Sequence, residues 1–75
     1  MKEVLEVIAK SLVDKPDEVN ITEVDSDGST TLELRVAEGD MGKVIGKQGR
    51  IAKAIRTVVK AAASREDKHV SVEII

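Results

Sequence analysis

Gly46-Lys47-Gln48-Gly49 is the stretch of this 75-residue chain whose residue types best suit it to hold a ligand. Glycine has no Cβ, so a foreign backbone can come close at either end of the stretch. Lys47 projects from its middle, and Arg50 follows in the first turn beyond. If one helix ends at Gly46 and another begins at Gly49, the first-turn amides of the second are free. Those amides and the helix dipole favour an anion such as a phosphate. Gly46 then stands where a helix end needs a residue at ease with a left-handed backbone. Val44, Ile45 and part of the second helix would wall a cleft beside the turn, where bases could lie by van der Waals contact.

The surroundings are cationic. The chain carries 12 basic and 14 acidic residues, a net charge of −2, but the charges are segregated. Residues 1–40 sum to −7 and residues 66–75 to −2, whereas residues 41–65 hold seven basic side chains and no acidic one. The seven are Lys43, Lys47, Arg50, Lys53, Arg56, Lys60 and Arg65. This predicts one electropositive region on an acidic body.

Other chemistries are excluded by residue type. With no Phe, Tyr or Trp, bases cannot be read by stacking on aromatic rings. No cysteine and a single histidine, His69, argue against a protein-built zinc site. A nucleotide-triphosphate loop fails twice: Met41 stands where its first glycine belongs, and Gln48 where Ser or Thr belongs. No Gly-x-Gly and no Gly-x-Ser-x-Gly frame occurs. Asp14, Asp17 and Glu18 flank Pro16 as a solvated connection, and His69 reads as a surface residue. We therefore expect a binding protein that is not an enzyme and needs no cofactor.

The elements that must position the loop follow from periodicity. Val4, Leu5, Ile8, Ala9 and Leu12 mark an amphipathic helix ended by Pro16. Val19 and Ile21 begin a strand, and Val24 breaks its alternation, which predicts a strand end or bulge near Glu23. Ser26-Asp27-Gly28-Ser29 is turn chemistry, and Leu32, Leu34 and Val36 alternate beyond it, completing a hairpin. Asp40 is placed to cap a short helix carrying Met41, Val44 and Ile45. A longer helix runs from Arg50 to Ser64 or Arg65, with Ile51, Ile55, Val58, Val59 and Ala62 as its apolar stripe and Lys53, Arg56 and Lys60 roughly opposite. His69–Ile75 closes the chain as a strand. The class is α+β in the order α-β-β-α-α-β, with helices on one face of a three-stranded sheet. A chain this short buries only about 60% of its unfolded surface, so its core is thin. No apolar run exceeds three residues, too short to span a membrane. Glu3 and Glu6 argue against an export signal, making the cytoplasm the expected compartment.

Val44-Ile45-Gly46-Lys47-Gln48-Gly49-Arg50-Ile51 resembles the signature of the KH domain, whose GxxG loop clamps about four single-stranded nucleotides. The element order resembles the type II fold of bacteria. The similarity covers residues 1–75, with a core of about 30–75 and a helix–strand extension, 1–29. Chain length and the run from Asp40 to Val59 are similar to the small single-KH RNA-binding proteins of the KhpA type. The resemblance implies single-stranded RNA as ligand in preference to DNA, and a role in RNA regulation or as an RNA chaperone. It also implies a homodimer, a second KH-containing partner of the KhpB type, or both. Carried onto this sequence, Gly46 and Gly49 admit the RNA backbone. Amides from Lys47 to Ile51, Gln48 among them, and the side chains of Lys47 and Arg50 meet phosphates. Lys43, Lys53 and Arg56 attract from farther away, and Ile45 with Ile51 or Ala52 lines the groove. One departure is Ala52, where KH domains commonly carry a large aliphatic residue. Either Ile51 and Ile55 fill the space or the groove is wider.

Two rival readings remain. A DNA-reading helix-turn-helix could present Gln48 and Arg50 to a major groove, but the predicted strands on both sides speak against it. A protein-interaction module could dimerise through Ala61-Ala62-Ala63, where small side chains let helices approach.

Overall fold

The computed structural model describes residues 1–75 and shows an α+β fold of three helices and one three-stranded mixed sheet. Helix α1, Lys2–Leu12, buries Leu5 and Ala9 along one face. It stops where Val13 turns extended (φ −94°, ψ 159°), and a single 3₁₀ turn, Pro16–Glu18, leads on. Strands β1, Asn20–Ser26, and β2, Ser29–Arg35, pair antiparallel from Asn20–Arg35 to Ser26–Ser29. Asp27 and Gly28 join them with φ of 48° and 80°. Two positive φ values in a two-residue connection fit a type I′ turn, whose twist matches that of the strands.

A 3₁₀ turn, Glu38–Asp40, leads into helix α2, Met41–Ile45. After the GxxG loop, helix α3, Arg50–Ser64, returns the chain to strand β3, His69–Ile74, which lies parallel to β2. The sheet order is β1-β2-β3, so both β1 and β3 are edges. Ile21, Leu32, Leu34 and Val72 face the helices and meet Leu5, Ala9, Val44, Ile55 and Val59 in one core. No helix is long and apolar enough to cross a membrane.

Three expectations need correction. First, β1 does not end or bulge near Glu23: its pairing is continuous to Ser26. Val24 breaks the apolar alternation because it lies on the sheet's open face, 44% exposed and opposite Thr31. Second, Val58 is not in the core stripe of α3. It is 50% exposed, and Ala52, Ile55, Val59 and Ala63 form the buried line instead. Third, Asp40 occupies the N-cap position of α2 without capping it. Its carboxylate, only 3% exposed, accepts the amides of Asp14 at 3.2 Å and Lys15 at 3.0 Å. It thus fastens the α1–β1 connection to the start of α2. The partner amides lie 25 and 26 residues away, so no local pattern could reveal them.

Beyond α3, Lys68 N–H donates to the Ala63 carbonyl at 3.0 Å and Asp67 takes φ 56°. A glycine suits that left-handed position better. Asp67→Gly is expected to raise stability by about 0.5 kcal/mol, a Tm increase of about 2–4 °C, read by thermal unfolding.

Candidate nucleic-acid interface

Helix α2 stops as Gly46 N–H closes onto the Gly42 carbonyl at 2.8 Å and Gly46 takes φ 77°, ψ 174°. This backbone region belongs almost wholly to glycine. A Cβ at Gly46 would also lie 2.5 Å from Cγ1 of Ile51. The first glycine therefore serves internal packing, because Ile51 closes over it and fixes the end of α2 against the start of α3. Gln48 (φ 58°) and Gly49 (φ 72°) complete the reversal. Nothing lies within 4 Å of a Cβ built on Gly49. Of the two glycines, Gly49 is the one that leaves room for an approaching strand.

The loop's amides are fewer than the sequence suggested. Gly49 N–H donates to the Gly46 carbonyl at 3.2 Å, and Arg50 N–H donates to the Lys47 carbonyl. The amides of Lys47 and Gln48 have no protein acceptor. Both residues are exposed. Arg50 Nη2 donates to Gln48 Oε1 at 3.3 Å, which sets the guanidinium beside the loop. No acidic residue stands in the first turn of α3 to compete for an anion.

The aliphatic wall is also reduced. Val44 is fully buried and Ala52 is 4% exposed, so neither can touch a ligand. Ile45, 36% exposed, remains, and Ile51 is partly buried against the core. Ile51 packs against Gly46, and Ile55 lies in the core.

Six of the seven cations in residues 41–65 form no ion pair; Lys43 is the exception. Its ammonium hydrogen-bonds to the carboxylate of Asp14 and lies 4.0 Å from Asp40. The Asp14 hydrogen bond raises the Lys43 pKa above its ordinary 10.5, outweighing partial desolvation. The lysine's share of the pair's stability is therefore constant at neutral pH and fades only as pH climbs through the raised value.

Lys53, Arg56, Lys60 and Ser64 follow Gly49 at spacings of four, three, four and four, which places them on one face of α3. That face borders the free edge of β3. Arg56 Nε donates to the Val72 carbonyl at 3.1 Å, so the main-chain groups of Val70, Val72 and Ile74 turn outward, alternate with those paired to β2. Between α3 and β3 lies an open cleft of about 960 Å³, bordered by Arg56, Lys60, Ser64, His69 and Ser71. Lys60 lies on the basic face that its spacing predicts, and His69 is exposed at the surface as expected. The four-three-four spacing from Gly49 sets Lys60 in line with Lys53 and Arg56. Nothing in the sequence places His69 and Ser71 opposite it, because that depends on the parallel return of β3.

A helix–GxxG–helix unit between parallel strands, with a helix and a strand before it, defines a KH domain in the type II order. A family model described as "KhpA/KhpB, KH domain" matches residues 2–74, and the chain belongs to that family. It is 71% identical over 75 residues to "RNA-binding protein KhpA" of Clostridium acetobutylicum, covering 100% of both chains. The protein of the same name from Clostridium perfringens is 69% identical over the same span, again with 100% of both chains covered. Among solved structures, Aquifex aeolicus Era bound to GDP.AlF4- superposes with a TM-score of 0.61 at 20% identity. Era in complex with MgGDPNP and nucleotides 1506–1542 of 16S ribosomal RNA gives 0.60 at 20% identity. In each case 96% of this chain is covered but only 28% of the Era chain, and the likeness shows the fold alone.

Proposed function

We propose that this chain binds single-stranded RNA, using loop 46–49 to hold the sugar–phosphate backbone, and that it acts in RNA regulation or chaperoning in the cytoplasm. The observation that carries the reading is the pair of unpartnered amides at Lys47 and Gln48, exposed between Lys47 and Arg50 with no acid in the first turn of α3. Phosphates seat on those amides and side chains. The strand then follows Lys53, Arg56 and Lys60, and bases meet Ile45 and the outward main-chain groups of β3. The name carried by the relatives, RNA-binding protein KhpA, supports the same ligand. The reading is of a binding protein, with no step of catalysis.

One small site on a chain of net charge −2 binds weakly by itself. Useful affinity then comes from two sites acting together, in a homodimer or beside a KhpB-type partner. The half-exposed Val58 and exposed Ala61 stand one turn apart on α3 and favour self-association there. Ala63, 1% exposed, cannot take part, so Ala61-Ala62-Ala63 is not one surface.

Fluorescence anisotropy with a short degenerate RNA tests the reading. Three or four neutralised phosphates give a slope of log K against log salt of about −2 to −3 for a single strand. Binding that is flat with salt, or equal for duplex and single strand, would contradict it.

A further inference from the structure

The geometry points to Asp14 as an internal competitor for phosphate: its carboxylate holds the Lys43 ammonium, and an RNA strand seated at the loop takes that ammonium over. This rests on the RNA-binding reading above and adds to it a residue outside the expected contact set.

Lys43 is the only cation of residues 41–65 with an ion pair, and it stands three residues before Gly46, one helical turn from the loop. Its flexible four-carbon stem lets the ammonium swing between two anions without moving the helix. Asp40 cannot hold it alone. That carboxylate already accepts two amides and lies 4.0 Å away. Asp14 makes the direct hydrogen bond while its own side chain remains 76% exposed. Exposed pairs of this kind are weak, so a phosphate can displace the carboxylate at little cost. The extension 1–29 therefore sets how many positive charges the loop region offers to RNA.

The test is a double-mutant cycle with Asp14→Asn and Lys43→Met, each variant titrated with a short degenerate RNA over a range of salt. Asp14→Asn is expected to tighten binding about two- to five-fold. It should also steepen the salt slope by about 0.7, one further phosphate on a single strand. In the Lys43→Met background the same substitution should give no gain. Asp17→Asn removes an equal charge from the same connection, where Asp17 forms no ion pair, and should change little. A gain that persists without Lys43, or that Asp17→Asn reproduces, would show a general field effect and overturn the proposal. So would an unchanged affinity in Asp14→Asn. Lys47→Asp/Gln48→Asp separates the two readings. If it abolishes binding while Asp14→Asn does nothing, only the competition fails; if it too does nothing, the RNA-binding reading fails first. Because Asp14 contributes its backbone amide to Asp40, the side-chain change leaves that tie in place and the fold intact.

Discussion

Replacing Lys47 and Gln48 together by aspartate is expected to weaken single-stranded RNA binding about ten- to a hundred-fold while thermal stability moves by no more than a few degrees. The substitution removes one cation and adds two anions at an exposed turn, a change of three charge units facing the incoming phosphates. Gln48 already accepts from Arg50 at 3.3 Å. An aspartate there keeps that guanidinium as its own partner, so the effective loss includes Arg50. Stability should hold because neither side chain is buried. The backbone of Gln48, φ 58°, ψ 25°, lies in the left-handed region that aspartate tolerates better than most residues. Anisotropy and a melting curve on the same sample decide the matter. Loss of binding accompanied by unfolding would move the loop from ligand contact to scaffold.

The two glycines of the loop should respond unequally to alanine. At Gly46 the new methyl meets Ile51 at 2.5 Å and the backbone sits at φ 77°, ψ 174°. Strain and overpacking together should cost about 2–4 kcal/mol, a Tm loss on the order of 10–25 °C for a domain of this size. At Gly49 the methyl meets nothing, and the left-handed backbone alone costs about 1–2 kcal/mol. Denaturant midpoints give the order directly. Gly49→Ala should retain most of its stability and lose RNA affinity, since its methyl occupies the surface an RNA backbone approaches. Equal destabilisation at both positions would contradict the packing of Ile51 beneath Gly46.

These contrasts show where the sequence is legible. Helix α1, the Asp27-Gly28 hairpin, the short helix before the loop and the long helix after it are written in local periodicity and turn chemistry, so each falls close to its expected place. Gly46 was recognisable as a residue with positive φ, but its second constraint comes from Ile51 folding back over it. The apolar stripe of α3 misled because alanine carries little hydrophobic signal. Ala52 and Ala63 are nonetheless buried where the helix lies close to its neighbours, while the larger Val58 faces out. Long-range partners were hidden for the same physical reason throughout. Asp40 reaches the α1–β1 connection, Asp14 reaches Lys43, and Arg56 reaches the edge of β3. Each joins residues 16 to 29 positions apart, which the tertiary fold brings together and no short pattern encodes. The cation-rich run 41–65 is plain from composition. Its subdivision into one paired lysine and six free cations is not.

We propose that the exposed amides and cations of residues 47–50 receive a polynucleotide, which continues along α3 beside β3. Residue-resolved NMR titration with a short degenerate RNA tests it most directly. The account predicts amide shifts centred on Lys47, Gln48 and Gly49 and extending through Lys53, Arg56 and Lys60 to the β3 edge at Val70 and Val72. Shifts confined to residues 58–65 on concentrating the protein, with none produced by RNA, would contradict it and leave a self-associating module in its place.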